Sequence, residues 1–244
     1  MTGRDPSRRF APAARDIGDA LGFFTRMPVG ASASAPLDLN RFAWAAPVAG
    51  ATVGLVGALA LALTGLIGLP HFIRAGLATA ALVAATGALH EDGLADVADG
   101  FGGGATRAMK LDIMRDSRIG AYGAIVLTLA LILRVAALSA ALDGGFWRAS
   151  ISLIAVAALS RAGALTPLAL LEPARADGAG AAAGRLDPGA LAAATAWASG
   201  AAALGMVGLA RRAIGGQTGD VAGAAQQTAE IAAWCGLLIG HAAP

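Results

Sequence analysis

The sequence predicts an all-α protein, a polytopic integral membrane helical bundle of about six to seven membrane segments, with polar active-site loops on the cytoplasmic side. Three observations carry this. Of the 244 residues, 57% are hydrophobic and only 14% charged, where a soluble domain carries about a quarter charged. The surplus of Ala, Gly, Leu and Val is gathered into runs long enough to cross an apolar core of roughly 30 Å. Basic residues collect near the ends of those runs, as the positive-inside bias expects. They form no stripe of the kind that holds nucleic acid, and the net charge is only +2. The single cysteine, Cys235, lies in an apolar run, which excludes a disulfide framework and a thiolate metal site.

Taken in order, Met1 to Asp16 is charged and Pro/Ala-rich without an apolar signal region, which predicts a cytoplasmic N-terminus. Residues 17–29 are amphipathic and too short to cross, so an interfacial helix ending near Pro28 is expected. A Ser/Ala/Pro linker over 30–40 completes an N-terminal cytoplasmic and interfacial segment, 1–40, ahead of a single transmembrane catalytic domain, 41–244. Residues 43–69 read as the first span, Pro70 to Arg74 as a turn, and 75–89 as a shorter apolar helix. A polar loop is expected over 90–119. A third span follows over 120–142, interrupted by Arg134, and a fourth over about 149–171, interrupted by Arg161. Residues 172–188 are polar again. The apolar run 189–210 ends at Arg211 and Arg212, which one more crossing would place outside, against the positive-inside bias. A tight hairpin or re-entrant segment is expected there, helped by Gly200 and Gly205. A last helix spans about 221–240.

Between two apolar stretches lies a polar island, His90-Glu91-Asp92-Gly93-Leu94-Ala95-Asp96-Val97-Ala98-Asp99-Gly100. Asp92, Asp96 and Asp99, at i, i+4 and i+7, fall on one face of a helix. Three like charges together are unfavourable unless a cation neutralises them, and hard oxygen ligands suit Mg²⁺ or Mn²⁺ rather than zinc. A solvated acidic loop is the bland alternative. Arg115 and Arg118 flank Asp116 and offer forked donors to an anionic substrate such as a pyrophosphate; the alternative is a positive-inside anchor for the third span. Gly215 to Asp220 is a Gly-rich turn whose backbone N–H groups can cradle a phosphate, a weak signal alone. Arg134 and Arg161 would each cost about 2.5 to 3.5 kcal/mol in mid-membrane, so both should face the protein interior or a polar cavity. The sequence leaves open an ion pair with Glu230 or the island, and contact with a substrate phosphate.

These motifs resemble the cobalamin synthase (adenosylcobinamide-GDP ribazoletransferase) family. The resemblance rests on Phe23-Phe24-Thr25-Arg26-Met27-Pro28-Val29, on His90 to Gly100, and on Ile113-Met114-Arg115-Asp116-Ser117-Arg118-Ile119-Gly120. Ser160-Arg161, Ala174-Arg175 with Gly178 to Gly180, and Gly215-Gly216-Gln217-Thr218-Gly219-Asp220 follow in the same order. The stretch 189–210 is shorter than the two spans the resemblance implies. The resemblance implies transfer of the adenosylcobinamide phosphate moiety of adenosylcobinamide-GDP to α-ribazole or its 5′-phosphate. GMP is released, and adenosylcobalamin or its 5′-phosphate is formed in a multi-pass protein of the cell inner membrane. On that reading Asp92, Asp96, Asp99 and Asp116 are catalytic. Asp92, Asp96, Asp99 and Asp220 hold Mg²⁺, and Arg115, Arg118, Arg161, Gly216, Gln217 and Thr218 bind substrate. The partners are the two small-molecule substrates and the lipid bilayer, without nucleic acid; a homo-oligomer is left open.

Two other functions fit parts of the sequence. A CDP-alcohol phosphotransferase also uses Asp clusters on membrane helices, but its pattern places Ala-Arg after the first Asp-Gly, where this chain has Leu94-Ala95-Asp96. A transporter would account for Arg134, Arg161 and Glu230 but not for three spaced carboxylates.

Overall fold

A computed structural model describes residues 7–29, 38–183 and 200–239. Among them there is no β-strand, only an isolated parallel bridge between Pro173 and Gln217. The chain starts with α1 (Ser7–Phe24), which begins earlier than the interfacial helix read from the sequence. Residues 30–37 of the expected linker lie outside the described residues. Asp38 accepts the N–H of Arg41 and caps α2 (Leu39–Phe42), which passes through a 3-10 turn into α3 (Ala46–Leu66). Arg41 clamps Asp16 and Asp19 of α1, and Trp44 donates to Asp16 at 3.2 Å, fixing α1 to the start of α3.

Next come α4 (His71–Thr86) and α5 (Leu89–Gly103), joined through Gly87 and Ala88, both left-handed, with φ of 65° and 59°. Two such residues in succession turn the chain by 89°. Thr106 caps the short α6 (Arg107–Ile113) by accepting the N–H of Met109. Then follow α7 (Ala121–Asp143), α8 (Phe146–Leu170), α9 (Gly178–Ala183), α10 (Gly200–Ala213) and α11 (Gly219–Ile239). The expected polar loop over 90–119 is therefore mostly helical. Its carboxylates alternate with Leu94, Ala95 and Val97, all buried, so the segment has an apolar face to pack and need not stay in water.

Among the described residues, three helical stretches are long and apolar enough to cross a membrane, Leu39–Leu66, Ala121–Asp143 and Phe146–Leu170. The bent pair α4–α5 makes a fourth if it counts as one span. This is fewer than the six to seven segments expected. The described part of α10 starts at Gly200, and 14 of its residues are described. Asp220, Gln226, Gln227 and Glu230 make α11 too polar for the same criterion. Residues 189–199 of the expected hairpin lie outside the described residues, so only its second half is seen, as α10.

The helices pack through small residues. A Cβ on Gly54 of α3 would stand 2.6 Å from Ile154 Cα of α8, so the two backbones touch directly. Around that contact, Val53, Leu61, Leu82, Leu138, Leu153 and Trp234 form one buried cluster. A second, with Phe24, Phe42 and Leu165, holds α1 on the bundle. A third, with Leu94, Val97, Ile214 and Val221, holds α5 against α10 and α11. Large apolar side chains such as Leu55, Leu59, Ile125 and Ile132 point outward, as they must on a lipid-facing wall.

Candidate active site

The three aspartates of the island sit on successive turns of α5, and the structure surrounds each differently. Asp92 is exposed, Asp96 half-buried and Asp99 buried. Both oxygens of Asp99 are engaged, one accepting the N–H of Gly120 at 2.7 Å and the other that of Gly123 at 2.8 Å. A carboxylate there satisfies N–H groups that the first turn of α7 cannot satisfy itself, and meets the positive end of its dipole. Asp99 thereby ties the end of α5 to the start of α7.

Asp96 instead lies in electrostatic contact with Asp92, Asp220 and Asp99, opposed by Arg175. Asp220 arrives from the first turn of α11 because Gly93 lets the two helices meet. A Cβ on Gly93 would stand 2.9 Å from the Asp220 carbonyl oxygen and 3.0 Å from its Cα. One Asp220 carboxylate oxygen is 3.4 Å from an Arg175 guanidinium nitrogen and accepts the Thr218 hydroxyl at 3.2 Å. The Gly-rich turn explains that placement. The Gln217 N–H donates to the Glu172 carbonyl at 2.9 Å, and the Ala174 N–H donates to the Gln217 carbonyl at 2.8 Å. Gly216, Gln217 and Thr218 are buried, and this backbone pairing sets Arg175 beside Asp220.

Asp116 and the two flanking arginines lie at the polar rim. Arg118 chelates Asp116, with contacts of 3.0 and 2.6 Å, and these hydrogen bonds hold the Asp116 carboxyl down at about 2. Arg115 spans both oxygens of Asp177 at 2.6 and 2.8 Å, holding that carboxyl below the usual range. Asp116 and Arg118 border an open cleft of about 550 Å³ together with Asp99 and Tyr122. Arg107 donates to the Ala174 carbonyl, and Lys110 donates to the carbonyls of Phe101 and Gly104, closing the end of α5.

Arg161 is elsewhere. It is buried in the bundle interior, 3.3 Å from the Ser160 hydroxyl and 3.8 Å from Glu230. The same interior holds Arg134 between Glu91 at 2.6 Å and Glu230 at 3.0 Å. Gln227 donates to Glu91 and Gln226 to Glu230. Two arginines and two glutamates cancel in charge, and each glutamate also accepts from one amide, while Glu91 Oε2 and Arg161 Nε stay without a partner.

The carboxylates of Asp92, Asp96 and Asp220 and the hydroxyl of Thr218 are hard oxygen donors, which suit Mg²⁺ by their chemistry. Among the described residues no group of three or more His, Cys, Asp or Glu side chains is arranged to hold a metal ion. Mg²⁺ is ordinarily held by one or two carboxylates, with water and substrate phosphates supplying the rest.

The cobalamin-5-phosphate synthase family matches residues 16–238 of this chain. The chain belongs to that family. It is 50% identical to the adenosylcobinamide-GDP ribazoletransferase of Azorhizobium caulinodans, over 92% of this chain and 95% of the relative. It is 48% identical to that of Xanthobacter autotrophicus, over 93% and 96%. The corresponding protein of Mesorhizobium japonicum is 47% identical over 89% and 90%. No solved structure matches the chain. Membership accords with the resemblance read from the ordered motifs, and the chain is an all-α membrane protein of cobalamin biosynthesis.

Two residues with charged partners in the structure carry little signal in the sequence. Arg175, the cation facing Asp220, stood only as part of a matching motif; a lone arginine in a polar stretch just before Gly178 is its signal. Glu91 pairs with Arg134 in the bundle interior. Its partner Arg134 lies 43 positions away, and nothing in local spacing joins them.

Proposed function

We propose that this chain transfers the adenosylcobinamide phosphate moiety of adenosylcobinamide-GDP to α-ribazole or its 5′-phosphate, with release of GMP, in the cell inner membrane. The observation that carries this reading is the meeting of Asp92, Asp96 and Asp220 with Arg175, in a chain of the cobalamin-5-phosphate synthase family. A ribose hydroxyl oxygen forms a bond to the phosphorus nearer the corrinoid. The bond from that phosphorus to the GMP oxygen breaks, and GMP leaves with the electron pair. The hydroxyl proton passes to a carboxylate, for which Asp92 and Asp96 stand nearest to solvent. Mg²⁺ held by one or two of the carboxylates Asp92, Asp96 and Asp220, together with substrate phosphate oxygens, would supply neutralisation of the pyrophosphate charge. Arg175 adds positive charge on the same side, and Arg115 and Arg118 hold phosphate oxygens at the rim in exchange for Asp177 and Asp116. Asp99 keeps α5 in register with α7, so that the other carboxylates stay in place.

The test is turnover by the detergent-purified protein given adenosylcobinamide-GDP, α-ribazole and Mg²⁺, with both products followed by chromatography. GMP and the cobalamin product should appear together, vanish with EDTA and return with excess Mg²⁺. A folded, monodisperse sample that forms neither overturns the reading; one that forms both in EDTA overturns the Mg²⁺ assignment alone.

Gly93→Val tests the helix crossing. Its side chain must displace Asp220, and a shift of about 1 Å at a reacting group costs on the order of 10²-fold. GMP release should fall by about that factor while far-ultraviolet circular dichroism stays helical; full activity would show that the α5–α11 approach is not needed.

A further inference from the structure

Beside the carboxylates a cavity of about 160 Å³ opens between α1, α5, α8 and α11. Phe23, Phe24, Leu165 and Leu168 make its apolar walls, and Asp92 and Asp220 stand along one side. The Phe24 and His90 rings are parallel within 5°, with centroids 6.0 Å apart, and Phe23 meets Phe24 edge-on at 4.9 Å. His90 lines the cavity, is 3% exposed, and its Nδ1 has no hydrogen-bond partner. A buried ring nitrogen left unpaired is destabilising, and nothing in the catalytic reading employs it. This is therefore an apolar slot with one unpaired ring nitrogen in its wall and the carboxylates of Asp92 and Asp220 along one side.

Size and polarity select what enters. An apolar cavity of about 150 Å³ takes in a molecule as flat and small as benzene, so this one suits a one- or two-ring aromatic and excludes a corrin. A purine edge carries several donors and acceptors, most of which these walls would leave unpaired. A benzimidazole riboside has an apolar ring body and a single free ring nitrogen.

Resting on the function proposed above, we infer that this cavity is the base pocket of the acceptor. It takes the benzimidazole ring of α-ribazole, pairs its free nitrogen with His90, and so brings the ribose to Asp92 and Asp220. The pocket makes the enzyme selective for benzimidazole over purine acceptors, and His90, Phe23 and Leu168 are specificity residues rather than parts of the phosphoryl chemistry.

The experiment measures the KM for each substrate separately in the full-length, detergent-purified protein, alongside binding of α-ribazole alone followed by its benzimidazole fluorescence. The wild type should use an adenine riboside with a kcat/KM about 10²-fold lower than α-ribazole. His90→Ala should raise the KM for α-ribazole about tenfold, the worth of one hydrogen bond, with the KM for adenosylcobinamide-GDP moving less than twofold. Ala164→Phe narrows the slot and should raise the KM for α-ribazole further. If that variant does not fold, Leu168→Ala widens the same wall and should shift preference toward bulkier alkylbenzimidazoles. Changes confined to the corrinoid KM, or an unchanged α-ribazole KM in all variants as expected of a slot that merely holds a lipid chain, overturn the inference. A wild type that binds α-ribazole but releases no GMP overturns the function and leaves the pocket standing.

Discussion

Asp96→Asn is expected to remove turnover while leaving the bundle as stable as before, or slightly more so. Asp96 is half-buried and meets three other carboxylates, Asp92, Asp220 and Asp99, against one guanidinium, Arg175. Folding holds these charges together at a cost, and an isosteric amide relieves it. The same amide binds a cation far less well, and the pyrophosphate loses the positive charge that cation would bring. Losing several kcal/mol of transition-state charge stabilisation corresponds to a fall on the order of 10³-fold in GMP release. Rate and thermal unfolding in one detergent preparation should therefore move independently. A fall in both would mean that Asp96 supports the fold rather than the reaction.

Arg134→Leu should do the reverse, unfolding the protein rather than impairing one step. Arg134 is 3% exposed and lies between Glu91 and Glu230, themselves 5% and 1% exposed. Its loss leaves two buried carboxylates facing Arg161 alone, and breaking a buried pair from one side costs about 3 to 5 kcal/mol. Replacing Arg134 and Glu230 together, by Met and Gln, restores neutrality with Glu91 and Arg161 and should recover most of that loss. Melting temperatures of the single and double variants decide this. Equal destabilisation by both would show that volume, and not charge, is what Arg134 provides.

The sequence states some of this plainly and hides the rest. Apolar runs long enough to cross a bilayer announce α3, α7 and α8, and the expense of a mid-membrane arginine places Arg134 and Arg161 inside the bundle. The spacing of Asp92, Asp96 and Asp99 puts them on one helix face but cannot show that Asp99 turns to the backbone of Gly120 and Gly123, more than 20 positions on. Nor can it show that 90–103 is helix rather than loop, since its buried face is short and broken by charge. The right angle at Gly87 and Ala88 was equally hidden, because an alanine in the left-handed region carries no composition signal. Among the described residues fewer helices pass as spans than the six to seven expected, because the polar groups of α11 lower its hydropathy.

The interior quartet of Glu91, Arg134, Arg161 and Glu230 draws its members from α5, α7, α8 and α11, the helices that also frame the carboxylate cluster. Helices bolted together at mid-depth cannot slide past one another without exposing a charge to hydrocarbon. When a bilayer is thicker or thinner than the apolar belt, helices can tilt or the lipid can deform. Here the adjustment falls to the bundle as a whole, and the separation of Asp92, Asp96 and Asp220 is insulated from the thickness of the membrane around it.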